Sequence, residues 1–461
     1  MEKKKKLTLQ QQLAKRKIKR PNWFIYFLYY FIMTKFVGKK YKAHYEIIDD
    51  INKCEGAKFL IWNHLSRVDH MYLMEATYPT RINILAGYNE FFRSHLHLVF
   101  KLNQITPKKH YTNDIPSIKA LNSLIKQGAT ICMAPEGMSS IYGTNQPIVP
   151  GTAHFLKHHK IPVYYMEMRG QYLVSTKAIQ DERYGNTYAK LMLLFTKEDL
   201  ERLSEQEITD ILNEKFRHDE YLWNKEQRIK YTHKGNALAR NLSTLCYKCP
   251  KCGSEIQMEE DGNNLRCKCC GNSVAVNDYY DFVPNSEDAK YPISPSKWVE
   301  WERCKIIKEI REKPDYSYSC EVKLGYLPPY KYVSDKKTSE ICGEGIFTVD
   351  HDGIHYRGTK LGETFDFDLS YKAVYSLPIV TDTTFFSVYV NDEYYDVFPK
   401  VPSTIKLLLL VEEMHRLHVN LWKNFKWNDY MYDESLNDEK LDELFFSKES
   451  LDYKRNNKDN E

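Results

Sequence analysis

Between residues 46 and 240 short apolar runs alternate with amphipathic stretches. Residues 57–62 (Ala-Lys-Phe-Leu-Ile-Trp) read as a buried strand, and Met71 to Met74 continue as a helix. Ile118, Leu121, Leu124 and Ile125 recur at helical spacing until Gly128, and residues 129–133 are strand-like. Residues 152–160 predict another helix and 161–166 another strand. Strands alternating with helices predict an α/β sheet whose functional loops lie at strand ends. After residue 285 the pattern changes. A Pro-containing linker leads to a helix over 296–312, and residues 319–398 hold short alternating runs broken by Asp352-Gly353 and Asn391-Asp392. These predict antiparallel strands closed by a helix over 406–418.

The amino-terminal segment has its own pattern. Lys3, Lys4, Lys5, Lys6, Lys15, Arg16, Lys17, Lys19 and Arg20 face one acid, Glu2, and an unbroken apolar and aromatic run follows from Trp23 to Met33. As a helix, residues 23–37 would measure roughly 22 Å, short of the ~30 Å hydrocarbon core of a bilayer. Lys35, Lys39, Lys40 and Lys42 make the far flank basic too, and no small-residue cleavage site follows. The segment therefore predicts a helix lying in one membrane face, with docking on its own domain as the alternative.

Composition narrows the class. Of 461 residues, 42% are hydrophobic and 28% charged, which excludes a wholly disordered chain and a many-helix transporter. With 66 Lys+Arg against 62 Asp+Glu, the chain as a whole is no polyanion binder. Six of the 11 Cys fall within residues 246–270, a pattern of one metal site in a reducing compartment.

Two constellations carry chemistry. The first follows the run 57–62 directly: Asn63, His64, then Asp69. A neutral imidazole can take a proton from an alcohol, and a carboxylate on its other nitrogen holds the tautomer. Five helical steps turn about 140°, so the pair cannot share one helix face. His64 is expected in the strand-to-helix turn, with Asp69 reaching back from the first helical turn. Downstream come Glu90-Phe91-Phe92-Arg93, then Pro135-Glu136-Gly137, then Ile161-Pro162-Val163. These four blocks, in this order over residues 55–170, resemble the glycerolipid acyltransferase superfamily, whose type member is 1-acylglycerol-3-phosphate acyltransferase.

The resemblance implies transfer of a fatty acyl group from a thioester, on coenzyme A or acyl carrier protein, to a hydroxyl of a lysophospholipid, with 1-acyl-sn-glycerol-3-phosphate the first acceptor expected. It implies His64 as general base, Asp69 as its partner, Glu136 and Gly137 shaping the acceptor pocket, and Pro162 supporting its wall. No covalent enzyme intermediate is implied, and Cys132 reads as strand packing. One departure stands out. Ser139 occupies the place of an Arg that grips phosphate in relatives, and Lys108 or Lys109 would have to stand in for a second one.

The second constellation is Cys249-x-x-Cys252-Gly253 and Cys267-x-x-Cys270-Gly271. Four thiolates from two tight turns suit tetrahedral Zn²⁺, and the glycines after the second Cys of each turn select this set over Cys246 and Cys269. With Asp261-Gly262 as a hairpin between them, the module reads as a zinc ribbon with a structural metal. Its basic residues Lys248, Lys251, Arg266 and Lys268 are outnumbered by Glu255, Glu259, Glu260, Asp261, Asp278 and Asp281, so no nucleic acid is expected as a partner.

The expected organisation is a membrane-interface segment (1–45), an α/β acyltransferase-like domain (46–240), a zinc ribbon (241–284), a linker and helix (285–318), a mostly-β domain (319–430) and a charged, frayed tail (431–461). The mostly-β domain, about seven strands and one helix, resembles a pleckstrin-homology-like barrel in architecture only. The expected protein is an enzyme, peripheral on the cytoplasmic face of a membrane, whose partners are the lipid surface, a lysolipid acceptor and an acyl thioester. The rival readings are a catalytically silent lipid-binding scaffold, an acyltransferase for another hydroxyl acceptor, and a zinc-ribbon nucleic-acid binder with an appended domain, against which the acidic balance of the ribbon speaks.

Overall fold

A computed structural model of the chain describes residues 7–422, apart from 113, 177, 179, 180, 335, 336 and 380, together with 437–446. Its first sheet holds seven strands: β1 (Ala43–Ile47), β2 (Lys58–Trp62), β3 (Ile82–Gly87), β4 (Thr106–Lys108), β5 (Thr130–Met133), β6 (Val163–Arg169) and β7 (Thr187–Phe195). The spatial order is β1-β7-β6-β2-β5-β3-β4. Strands β2 to β6 run parallel to one another, while β7 is antiparallel to β6 and parallel to β1. The carboxyl ends of β2, β3, β4, β5 and β6 therefore share one edge of the sheet. Along β2, Leu60 and Trp62 face one apolar core, and Phe59 and Ile61 face the other. Burial on both faces explains why this strand reads as a continuous apolar run rather than an alternating one.

Helix α1 (Trp23–Tyr30) continues through wider π turns at Phe31–Val37 and packs on α2 (Asp69–Thr77). Asn22 caps it, its side chain accepting from the amides of Phe24 and Ile25. Tyr26 and Tyr30 are buried, while Trp23, Phe24, Leu28, Phe31, Ile32 and Phe36 are exposed. Among the described residues no helix is long and apolar enough to cross a membrane. Helix α3 (Ile115–Lys126) buries Leu121 and Leu124 beside β5 and leaves Ile118 exposed.

The ribbon is a four-stranded antiparallel meander of β8 (Met258–Asp261), β9 (Asn264–Cys267), β10 (Ser273–Val276) and β11 (Phe282–Pro284). It is built into the molecule rather than hung from it. The Tyr280 hydroxyl donates to the Leu173 carbonyl at 3.0 Å, and Glu302 on α4 (Pro295–Glu312) accepts the Lys248 amide at 2.8 Å.

The last sheet is a curled antiparallel one of six strands, β12 (Ser317–Tyr326), β13 (Glu340–Asp350), β14 (Ile354–Lys360), β15 (Glu363–Leu369), β16 (Phe386–Val390) and β17 (Glu393–Pro399), in the order β15-β14-β13-β12-β17-β16. About seven strands were expected from the sequence; the alternating runs merge into the long β12 and β13, 10 and 11 residues. Helix α5 (Thr404–His418) lies against α4 and β13.

The expectation of a frayed tail fails at one place. Helix α6 (Asp438–Phe446) docks on α4, burying Leu441 and Phe445, with the Trp301 indole donating to Asp442 at 3.2 Å. Leu441 and Phe445 are four residues apart, enough for one apolar helix stripe in an otherwise charged segment. Residues 431–436 and 447–461 of that tail lie outside the described residues.

Candidate active site and metal centre

Strand β2 ends at Trp62, and the side chain of the next residue, Asn63, clamps onto β6. Its Nδ2 donates to the Met168 carbonyl at 2.8 Å, and its Oδ1 accepts the Met168 amide at 2.7 Å. This two-point tie fixes the chain where it leaves the sheet, and His64 follows. Asp69 opens α2 and reaches back to it: His64 Nδ1 lies 2.7 Å from Asp69 Oδ2. The same oxygen accepts from the Trp62 indole at 3.2 Å and the Leu65 amide at 2.9 Å, while Oδ1 accepts from the amide and hydroxyl of Ser66 at 3.0 and 2.6 Å. A carboxylate that only accepts leaves the proton on Nδ1, so Nε2 presents its lone pair. The His64 side chain is 22% exposed and that of Asp69 2%. Among the described residues Nε2 has no hydrogen-bond partner.

The loop after β5 locks the main chain of His64 from both sides. Glu136 Oε2 accepts the His64 amide at 3.0 Å, and the Ser140 amide donates to the His64 carbonyl at 2.7 Å. Glu136 Oε1 accepts the Gln146 amide at 2.7 Å. Glu136 is buried, and burial pushes its carboxyl up to about 8 despite the two amides that pull it down. Gly137 sits at φ +77°, and a Cβ there would come 2.8 Å from Val149 and 3.1 Å from the Tyr111 ring. Only glycine fits both the backbone and the space. Ser139 is buried, and its Oγ has no hydrogen-bond partner among the described residues. Burial raises the Cys132 thiol far above its ordinary value, which keeps it protonated and inert.

The other residues expected around an acceptor are placed less simply. Lys108 Nζ donates to the carbonyls of Lys109 and Thr112 at 2.9 and 3.5 Å and lies 4.0 Å from Asp114. Lys109 Nζ pairs with the Asp392 carboxylate and donates to the Asp392 carbonyl at 3.1 Å. Pro162 is not at this edge. Its carbonyl accepts from Phe59 at 2.9 Å, and Phe59 pairs with Val163, so it stands at the amino ends of β2 and β6. Because the two strands are parallel, the start of β6 is a strand length away from His64. The expected wall position is corrected accordingly.

Sequence reasoning missed Ser140, Tyr111 and Asp392. Ser140 was readable in principle, four residues beyond Glu136. Tyr111 packs on Tyr375 with ring centroids 4.6 Å apart, and Tyr375 on Trp422 at 5.5 Å, contacts with no local signal. His70 is half-buried beside the Tyr29 ring and pushed down to about 4 by desolvation.

In the ribbon, Cys249, Cys252, Cys267 and Cys270 bring all four Sγ atoms within 4.8 Å of one another. The 249–270 and 252–267 separations are 3.7 and 3.8 Å. A tetrahedron with Zn–S of ~2.3 Å has edges of ~3.8 Å, so the set fits Zn²⁺. The two knuckles are copies of one turn: Gly253 and Gly271 both sit at φ +75°, and their amides donate to Cys249 and Cys267 at 2.9 Å. Cys246, buried, and Cys269, exposed, stand outside the cluster.

No family model matches the chain, and no curated protein matches it in sequence. Among solved structures, the chain is similar to the 1-acyl-sn-glycerophosphate (LPA) acyltransferase PlsC from Thermotoga maritima, with 15% identity over 40% of this chain and 75% of that one, at a TM-score of 0.34. A likeness at that score does not establish a shared fold.

Proposed function

We propose that the protein is an acyltransferase that moves a fatty acyl group from a thioester, on coenzyme A or acyl carrier protein, to a lysolipid hydroxyl at a membrane face. The observation that carries this reading is the open Nε2 of His64, with Nδ1 held 2.7 Å from a buried carboxylate at the shared carboxyl edge of the parallel strands. Nε2 removes the proton of the acceptor hydroxyl as its oxygen attacks the thioester carbonyl. Asp69 stabilises the imidazolium that forms. The tetrahedral intermediate then collapses, the C–S bond breaks, and the imidazolium returns its proton to the departing thiolate. Atoms balance with no acyl-enzyme, in keeping with the inert Cys132 thiol.

The exposed aromatic face of α1 supports membrane association. Trp23, Phe24 and Phe36 present apolar surface to solvent, as an in-plane interfacial helix requires. Helix α1 packs on α2, whose first residue is Asp69, so a surface that held α1 would lie near the candidate site. Cys249, Cys252, Cys267 and Cys270 would hold zinc, which would supply a structural cross-link.

The test is His64→Ala, assayed with a labelled acyl thioester and a panel of lysolipids in vesicles, with products identified by mass. Transfer by the wild type and its loss in the variant, at unchanged zinc content and melting temperature, are expected. Full activity in the variant would remove His64 from the mechanism.

A further inference from the structure

The hairpin formed by β16 and β17 turns through Asn391 and Asp392, both at positive φ (50° and 69°), a tight two-residue turn with a fixed tip. That tip reaches the end of β4. There Lys109 Nζ meets the carboxylate and carbonyl of Asp392, with the rings of Tyr88 and Tyr389 at 5.2 and 5.7 Å. The lysine side chain is 14% exposed and the aspartate 79%. A nearly enclosed cation thus faces solvent through a carboxylate that belongs to the distant β-rich domain.

The lysine shares the sheet edge of His64. With neighbouring strands ~4.8 Å apart, β4 stands three spacings from β2, or ~14 Å. A lysolipid whose hydroxyl lies at His64 Nε2 must extend its headgroup along this edge, toward β4 or toward β6. In both directions the cations already have partners. Toward β4, Lys108 is turned onto two carbonyls and Lys109 onto Asp392. Toward β6, Arg169 lies between Glu167 at 2.9 Å and buried Glu220 at 3.8 Å. Beside His64 itself, Arg67 has no carboxylate partner among the described residues: it donates to the Ser175 hydroxyl at 3.3 Å, and its buried Nε has no hydrogen-bond partner there. Near Gly137 the surroundings are aromatic: Tyr111, then Tyr375, then Trp422, whose ring lies under the Arg416 guanidinium at 5.4 Å.

We propose that Asp392 determines acceptor specificity: its carboxylate fills the anion position at Lys109, so the acceptor is a lysolipid whose headgroup carries no phosphomonoester. This deepens the acyl-transfer reading and rests on it. A phosphomonoester brings a charge of about −1.5 to −2 at neutral pH. It would have to displace Asp392 and then remain beside it, and like charges placed together select against the wrong ligand. A zwitterionic phosphodiester makes no such demand on Lys109.

The experiment uses the full-length protein and the variants Asp392→Asn and Lys109→Ala. Asparagine tolerates the positive φ of the turn and removes only the charge. With a labelled acyl thioester, the wild type should acylate lysophosphatidylcholine in preference to lysophosphatidate. Asp392→Asn should raise kcat/KM for lysophosphatidate about tenfold, through KM, and leave lysophosphatidylcholine unchanged. A wild type that prefers lysophosphatidate, or a variant that lowers both substrates alike, overturns the proposal. A second arm needs no turnover: calorimetric titration with glycerol 3-phosphate should show binding to Asp392→Asn but not to the wild type or to Lys109→Ala. Equal binding by wild type and Asp392→Asn overturns it. If no acceptor is acylated, the acyl-transfer reading fails, and the titration still decides whether Asp392 guards an anion position.

Discussion

Glu136 holds His64 by its backbone and not by its ring: Oε2 accepts the His64 amide at 3.0 Å while the imidazole turns to Asp69. The glutamate therefore sets where the strand end sits, and the aspartate sets how the ring points. Both act on one residue, yet their replacement should produce different symptoms.

Replacing Glu136 should show first in stability against pH. Burial raises its carboxyl from 4.5 to about 8 in the folded chain. Between those values the folded state keeps a proton that the unfolded state has lost, so stability falls as pH rises. The contribution is complete below pH 4.5 and is lost as pH passes through about 8. Glu220 is pushed up to about 8, again by burial, so Glu136→Gln should make the decline shallower without abolishing it. Urea melts across that window check this; parallel curves for variant and wild type would sink it.

Asp69→Asn should act on the chemical step. The amide nearly matches the shape of the carboxylate but cannot stabilise an imidazolium, and its NH₂ opposes the donors that Asp69 now accepts. A fall in kcat on the order of 10²–10⁴-fold, with little change in KM for the acyl thioester, is expected from steady-state kinetics. A tenfold or smaller loss would leave the carboxylate no more than a packing role.

Metal analysis separates the ligands from their neighbours. One zinc per chain is expected in the wild type. Cys246→Ser and Cys269→Ser should keep it, because both residues stand outside the cluster. Cys249→Ser should lose it and lower the melting temperature of the whole chain, since the Lys248 amide is held by Glu302 and the Trp298 indole donates to the Lys248 carbonyl at 3.0 Å. A melting transition indifferent to strong chelators would contradict a structural metal.

What the sequence revealed follows the distance over which each feature is encoded. The cysteine turns repeat the same spacing within a few residues, and His64 and Asp69 are five apart, so pattern alone could bring them together. The long pattern of strands and helices exposed the α/β sheet for the same reason. Lys109 and Asp392 are 283 residues apart. Nothing local marks Asp392 except a turn, and a turn at a hairpin tip needs no partner to explain it. Pro162 was misplaced because strand direction, not sequence proximity, decides which end of a strand meets the site. Helix α6 escaped notice because so short a stripe, Leu441 and Phe445, becomes visible only against the α4 surface that it covers.

The same long-range character marks Arg303 on α4, from which the last expectation follows. Its guanidinium lies 2.7 Å from Glu412 and 2.6 Å from Glu413 on α5, all three buried, and Nη2 reaches the Tyr142 hydroxyl at 3.4 Å. Arg416 stands 3.9 Å from Glu413. Tyr142 belongs to the loop that carries Glu136 and Ser140, so this charge cluster joins α4 and α5 to the candidate site. Arg303→Met keeps much of the volume but takes from buried Glu412 its guanidinium partner, and a loss of about 3–5 kcal/mol is expected in denaturant unfolding. Arg303→Met combined with Glu412→Gln should recover much of that stability, because one charge of each sign then leaves and Glu413 keeps Arg416. If the single and double variants are equally unstable, packing rather than charge holds α4 to α5. If the double variant is stable yet its acyl transfer stays low, the cluster acts through Tyr142 to position the loop beside His64.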